Sequence, residues 1–178
     1  MVFSNLIFLY LFLPVCLIAY FFCPGIRAKN AVLILFSLIF YAWDEPVYLL
    51  LMIASAAVNW YFGLLIERRR KKIFLILALV LDLGCLAVFK YAGFFMENLN
   101  AVFGASIPVP QIALPIGISF YTFQALSYTV DVWRGDVPAQ RSFAKLLLYI
   151  SLFPQLIAGP IVRYSDIAVQ LKTREHSV

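Results

Sequence analysis

Charged residues are scarce in this 178-residue chain, where Asp, Glu, Lys and Arg together make up only 13%. A soluble globular domain contains about 25% of such residues. The shortage excludes a soluble domain, a disordered tail and a nucleic-acid binder. Hydrophobic residues predominate instead, at 64% of the chain with a mean hydropathy of +0.94. This composition predicts an all-α, polytopic bundle of membrane helices, since one span takes roughly 20 apolar residues.

The residues needed for metal and disulfide chemistry are also few. Cys16, Cys23 and Cys85 form no Cys-x-x-Cys pair, and two of them lie inside apolar runs. Their number and positions argue against a disulfide framework or a zinc site. The single histidine, His176, lies in the polar tail 172–178 and is assigned no catalytic role. We therefore expect no metal site, no bound cofactor and no catalytic residue within this chain.

Six runs with few or no charges predict about five to six membrane spans. They are Leu6–Phe22, Ala31–Trp43, Val47–Ile66, Ile73–Phe89, Ile112–Val130 and Ala144–Val162. The first is interpreted as a retained span rather than a signal peptide, because no Lys or Arg precedes Arg27 and the run is too long. Residues 1–178 are treated as one membrane domain that ends in the polar tail 172–178.

Basic residues concentrate in two loops that are separated by two predicted spans. Arg27 and Lys29 lie in the first loop, and the second, 67–72, reads ERRRKK. The turn between those spans, 44–46, has two acidic residues and no positive charge. Lys and Arg collect in short cytoplasmic loops. The pattern predicts both basic loops inside, the acidic turn outside and the N-terminus outside.

The stretch Lys90–Ser106 follows the fourth span and has one mainly apolar and one polar face. Such a pattern predicts a helix that lies in the plane of the membrane interface. Pro108 and Pro110 would end it, since proline does not continue a helix. An ordinary helix in an extramembrane loop is the alternative.

The fifth span carries a stripe of polar residues. Its members are Gly117, Tyr121, Gln124, Tyr128 and Asp131. Their spacing of four, three, four and three residues places them on one face of a helix. Polar groups are costly in lipid, so this face should contact protein or a watered cavity. Hydrogen bonding between helices and lining of a channel both remain open, and Asp131 could also pair with Arg134.

The sixth run is not expected to be one straight helix. Pro154 lies near its centre and Gly159 and Pro160 follow, and each proline removes a backbone donor. We expect a helix to about Phe153, followed by a bent or re-entrant element over 154–160. Freed backbone groups must be buried in protein or line a cavity. Gln155 at the break and Arg163 just beyond it therefore suggest a polar site, with a simple proline kink as the alternative.

Two long motifs stand out in the second half of the chain. The first is LPIGISFYTFQALSY at 114–128, which continues to DVWRG at 131–135. The second is FPQLIAGPIVRY at 153–164. Both closely resemble the membrane-bound O-acyltransferase family, in its bacterial branch that includes alginate O-acetyltransferase. The shorter stretches FKY at 89–91 and FYAW at 40–43 resemble weaker marks of the same family. The likeness covers essentially the whole chain.

The resemblance implies a ring of helices around a central channel, where an intracellular acyl donor meets an extracytoplasmic acceptor. The donor would be a thioester such as acetyl-CoA or an acyl carrier. The family's catalytic histidine lies beyond the length covered here, so the chain looks like an N-terminal fragment. The chain is expected in the bacterial inner membrane. Its expected partners are extracytoplasmic acceptor or acyl-relay proteins of a polysaccharide modification system, such as that of alginate. The candidates for channel lining or substrate binding are Tyr121, Gln124, Tyr128, Gln155 and Arg163.

Two other functions fit the same pattern. Broken helices and polar groups inside the membrane also occur in secondary transporters, so the chain could be half of one. A transporter would continue into a second repeat with a similar pattern, whereas an acyltransferase would continue into an intramembrane histidine. An inactive membrane assembly subunit is the third interpretation.

Overall fold

The computed structural model describes residues 6–43, 46–104, 108, 114–115, 117–158 and 162–168, with the backbone alone for 156–158. This part of the chain is helical and contains no strand. A π-helical turn over Phe8–Phe12 leads into the first α-helix. The α-helices are α1 (Leu13–Phe22), α2 (Gly25–Ala42), α3 (Pro46–Arg69), α4 (Lys72–Phe103), α5 (Ile118–Arg134), α6 (Phe143–Ser151), α7 (Phe153–Ala158) and α8 (Tyr164–Ile167). The predicted all-α membrane bundle is confirmed.

Three helices, α2, α3 and α4, are long and apolar enough to cross a membrane. The π-helical turn and α1 together form a shorter apolar stretch, Phe8–Phe22, and another covers Phe143–Gln155. Five of the six predicted runs therefore coincide with helices or helix pairs, although their bounds shift and α4 extends well beyond the predicted end at Phe89. The start of the remaining run, 112–113, lies outside the described residues, and its helix, α5, begins at Ile118.

The separate interfacial helix predicted for Lys90–Ser106 is wrong in the described part, because α4 runs unbroken from Lys72 to Phe103. At about 1.5 Å per residue its 32 residues span about 48 Å, well beyond a hydrocarbon core of about 30 Å. No proline interrupts this stretch, so the backbone has no reason to bend where the fourth span ends. The helix stops at Gly104, whose φ of 62° is left-handed backbone that glycine adopts without strain.

Helix α5 is the centre of the bundle. It contacts α3, α4, α6, α7 and α8, and more than half of its residues are buried. Its closest approach is to α3, where Tyr128 packs over Gly63. The missing side chain at Gly63 is what lets the tyrosine ring lie against the α3 backbone. Because the face of α5 that carries the polar stripe packs against protein, the stripe is sheltered from lipid.

The sixth run is broken, as predicted, but the break lies at Leu152 rather than after Phe153, and residues 154–158 are helical. Helix α6 ends at Ser151, and Leu152 has non-helical backbone before α7 begins at Phe153. Pro154 then lies in the first turn of α7, where a proline has no intrahelical bond to lose. The Phe153 ring packs against Phe8, Phe12 and Phe40, with ring centroids 5.5 to 6.0 Å away. The break thus inserts an aromatic anchor between α2 and the N-terminal helix.

Beyond the break the chain turns back toward the start of α6. The Tyr149 hydroxyl donates to the carbonyl oxygen of Val162 at 2.8 Å. Tyr164 lies beside Gln140, which precedes α6, with 2.7 Å between Gln140 Nε2 and the Tyr164 hydroxyl. A straight helix would have carried Tyr164 away from that end, so the segment is re-entrant rather than a simple kinked span. Residues 159–161 themselves lie outside the described residues.

One end of the bundle, here called the charged end, collects the basic segments. Arg141 forms an ion pair with Glu67 at 2.6 Å, which joins the α5–α6 connection to the end of α3. Arg27 of α2 and Lys145 of α6 line one cavity at this end. The two basic loops therefore lie at the same end of the bundle. The predicted topology requires this, because two spans separate the loops. The acidic residues Asp44 and Glu45 lie outside the described residues.

Candidate functional site in the polar interior

The stripe on α5 faces protein, as the sequence predicts. Tyr121, Gln124, Tyr128 and Asp131 are all buried. Asp131 could have paired with Arg134, but the described residues show no ion pair between them, and Asp131 Oδ2 is buried without a hydrogen-bond partner there. The carbonyl oxygen of Asp131 instead accepts from the amides of Gly135 and Asp136, which closes the end of α5. The carbonyl group of Asp131 therefore helps to terminate α5.

Tyr128 joins the stripe to the charged end. Its hydroxyl accepts a hydrogen bond from the backbone amide of Gln140 at 3.0 Å. Its ring packs edge-to-face on Tyr164 at 4.9 Å, and Tyr164 packs in the same way on Tyr149 at 5.2 Å. Three tyrosines from α5, α6 and α8 thus form one cluster. Sequence reasoning identified Tyr128 and missed the other two, which lie on different elements.

Gln140 organises this cluster and was also missed from the sequence. Its side-chain amide donates to Tyr164, and its side-chain oxygen accepts from the amide of Ser142 at 3.1 Å. Burial raises the pKa of the Tyr164 hydroxyl, and the hydrogen bond from Gln140 partly offsets that effect. Gln140 lies in a short connection with no periodicity, so no sequence pattern marks it.

A cavity of about 580 Å³ opens beside the tyrosine cluster at the charged end. Its wall includes Tyr164, Gln140 and the Glu67–Arg141 pair. Glu67 is held in place twice, since its carboxylate accepts from Arg141 and from the backbone amide of Ala139 at 3.0 Å. The wall combines both charges and several hydrogen-bonding groups with the apolar surface of Val137, Pro138 and Ala139, so this cavity suits a molecule with both polar and apolar parts.

Gln155 and Arg163 occupy different surroundings. Gln155 is buried in the first turn of α7, and its backbone amide donates to the carbonyl of Leu152 at 3.0 Å. Arg163 is exposed and precedes α8, where its carbonyl accepts from the amide of Asp166. Within the described part of the chain, no hydrogen bond or ion pair joins the two side chains. The structure therefore keeps Gln155 as an interior residue and places Arg163 at the surface.

Three buried polar atoms around the break have no hydrogen-bond partner among the described residues. They are Gln124 Oε1, Ser151 Oγ and Gln155 Nε2. Helix α5, which carries Gln124, contacts both α6 and α7, which carry the other two residues. Leaving such a group unsatisfied costs about 1–3 kcal/mol, so a polar partner at each of these atoms would be stabilised. We call them the unsatisfied set.

A second buried network joins α3, α4 and α5 and was missed as a site. The Asn59 amide nitrogen lies 3.0 and 2.9 Å from the two carboxylate oxygens of Asp82, and Ser55 donates to the same carboxylate at 3.3 Å. Thr129 donates to the Asn59 oxygen at 2.7 Å. The sequence signal was a single acid in the fourth span, since an intramembrane ionisable residue needs a partner. These bonds act as interhelical connections.

Comparison with known proteins places these features in a family. The chain is 42% identical over its full length to a Pseudomonas aeruginosa protein named "Probable alginate O-acetylase AlgI" and 41% identical to the one from Azotobacter vinelandii. It is 31% identical, over 99% of its length, to a Helicobacter pylori peptidoglycan O-acetyltransferase. This chain is a homologue of bacterial O-acetyltransferases. The resemblance inferred from the two long motifs is thereby confirmed.

The match covers nearly all of this chain but only part of each of these O-acetyltransferases. The chain spans between 36% and 40% of the length of these relatives, in their N-terminal part. No protein family model matches the chain, and no solved structure matches it significantly. Among the described residues no group of three or more His, Cys, Asp or Glu could hold a metal ion. His176 lies outside the described residues.

Proposed function

We propose that this chain forms part of a membrane O-acetyltransferase that modifies an exported polysaccharide, such as alginate. The observation that carries the proposal is the unsatisfied set at the helix break, within a chain homologous to O-acetyltransferases. Polar atoms without partners in an apolar interior are retained where a polar group binds them. An acyl carbonyl or an acceptor hydroxyl has the hydrogen-bonding character that these atoms require.

The proposed residue roles are in binding and orientation. Gln155 Nε2 is a donor suited to a carbonyl oxygen, and Gln124 Oε1 is an acceptor suited to a hydroxyl group. Tyr121 and Tyr128 line the same face of α5, with Tyr128 leading to the cavity at the charged end. Arg163, being exposed, would attract an anionic group to the surface rather than act in the interior. The transfer chemistry itself requires a base that we assign to none of these residues.

The charged end is proposed to face the cytoplasm of a bacterial inner membrane. Its basic loops follow the positive-inside rule, which also places the N-terminus outside. The 580 Å³ cavity would then be open to a cytoplasmic acyl donor, either a thioester such as acetyl-CoA or an acyl carrier. Acceptor or acyl-relay proteins would approach the opposite face.

Deletion of the gene tests the proposal directly. The expected result is a loss of base-labile acetyl groups from the exported polysaccharide, restored when the gene is returned. Returned genes with Gln124→Leu or Gln155→Leu should restore about tenfold less acetylation per unit of expressed protein, since each loses a polar contact to the reacting molecule. Phe123→Leu, on the half-exposed side of α5, is the matched control and should restore it fully.

The outcomes separate the alternatives. Full acetylation after deletion contradicts the proposal. Intact acetylation with loss of uptake or efflux of a solute would favour the transporter. Acetylation that requires the gene but tolerates both glutamine variants would favour an assembly subunit.

A further inference from the structure

A separate cavity of about 170 Å³ lies between the first turns of α2 and α6 at the charged end. Arg27 and Asn30 of α2 form one wall, and Ser142, Ala144 and Lys145 of α6 form the other. At about 30 Å³ per water, it has room for roughly five waters or one phosphate group. It shares no lining residue with the larger cavity beside Tyr164.

The charge of this cavity is of one sign. Among the described residues, its wall contains the two basic residues Arg27 and Lys145 and no acidic residue. Neither basic side chain forms an ion pair within the part of the chain that the structure describes. Two other basic groups at this end do have partners, because Arg141 is paired with Glu67 and Lys29 lies over the Tyr20 ring at 5.1 Å. Two cations without an ion-pair partner among the described residues give this small cavity a positive charge, which attracts an anion.

The backbone adds to the same polarity. Helices α2 and α6 both begin here, and neither has an acidic residue in its first turn or a side-chain cap at its N-terminus. The first amides of a helix carry partial positive charge and attract anions. The arrangement therefore combines two side-chain cations with two helix starts, and phosphate oxygens suit both kinds of donor.

We propose that the Arg27–Lys145 cavity binds a phosphate group. The shared chemistry is that of an anionic phospholipid headgroup or a free phosphate. Ala31 and Ile34 continue the wall of the cavity with apolar surface, which a phospholipid would contact below its headgroup. The inference is independent of the proposed transfer activity, because it needs neither the unsatisfied set nor the larger cavity.

Thermal unfolding of the purified full chain in neutral detergent tests the site. Phosphatidylglycerol, phosphatidylcholine and inorganic phosphate are added separately, and the midpoint of unfolding is followed against concentration. Phosphatidylglycerol should raise the midpoint and phosphatidylcholine should not. In the double variant Arg27→Gln, Lys145→Gln the apparent affinity should fall about tenfold or more, because two charge-assisted contacts are lost.

Two further variants keep the test specific. Arg134→Gln removes one positive charge from the exposed end of α5, outside the cavity wall, and should keep its affinity within about twofold. Arg27→Lys, Lys145→Arg preserves the charge and should retain most of the effect, which separates lost binding from misfolding. A shift with inorganic phosphate assigns the site to free phosphate, and a shift with the lipid alone assigns it to the headgroup. No shift with either, or equal affinity in the double variant, overturns the proposal.

Discussion

A Cβ atom added at Gly63 would lie 2.5 Å from the Tyr128 hydroxyl oxygen and 2.9 Å from two of its ring carbons. Both residues are buried, and the ring is fixed by Gln140 and Tyr164. The tyrosine therefore cannot swing away without losing these contacts. This pair sets the distance between α3 and α5, and with it the position of the polar stripe.

Gly63→Ala should destabilise the fold by about 1–3 kcal/mol, the usual cost of forcing extra atoms into a packed interior. Gly84→Ala is the matched control, since Gly84 is also helical but has no atom within 4 Å of the added Cβ. That control should be neutral or more stable by about 0.5–1 kcal/mol, from the better helix propensity of alanine. Unfolding in detergent measures both. Equal stability of the two variants would contradict the close packing.

The Asn59–Asp82 network predicts a loss of stability when its donor is removed. Asn59→Ala leaves a buried carboxylate with Ser55 as its single remaining donor among the described residues, at a cost of about 1–3 kcal/mol or more. Asn98→Ala is the control, because Asn98 is exposed and bonds only within its own helix. It should change stability by less than about 0.5 kcal/mol. If Asn59→Ala were equally mild, the network would not connect these helices.

Glu67 should matter more than its ion-pair partner. Arg141 is 67% exposed, so Arg141→Gln should cost less than about 1 kcal/mol, and less still at high salt. Glu67→Ala also removes the acceptor of the Ala139 amide, which adds about 1 kcal/mol. Unfolding at low and high salt distinguishes the two effects. Identical losses in both variants would show that the amide contact contributes nothing.

Phe153 should anchor the break in the sixth segment. Phe153→Ala removes a ring that packs on Phe8, Phe12 and Phe40 and should cost about 3 kcal/mol. Phe95→Ala, at an exposed position of α4, is the size-matched control and should cost far less. Thermal unfolding compares the two. The prediction fails if the exposed ring proves as important as the buried one.

Membrane orientation is a prediction that reporter fusions check. Fusions after Lys72 should behave as cytoplasmic and fusions near Glu45 as extracytoplasmic, because basic loops are retained inside. Enzymatic reporters active on only one side of the membrane give the readout. Reversed activity at both positions would overturn the orientation, while the relative placement of the helices would stand.

Much of the helical framework could be predicted from the sequence, and the errors have local causes. The break near Pro154 was predictable because proline lacks a donor, whatever surrounds it. The length of α4 was not, since the switch from a mainly apolar to a two-faced pattern at Lys90 resembles the end of a span. A helix continues until the backbone meets a residue that breaks it. In α4 that residue is Gly104.

The sequence by itself determined membrane insertion, the helical class, the buried stripe on α5 and the family, because composition, periodicity and motifs are properties of the chain alone. Only the tertiary structure decided which distant residues meet. Gln140 and Tyr164 reach Tyr128 through a connection and a re-entrant turn, and Asn59 reaches Asp82 across two helices. Such pairs depend on how helices pack and fold back. Packing depends on several segments at once, so no pattern within one segment predicts it.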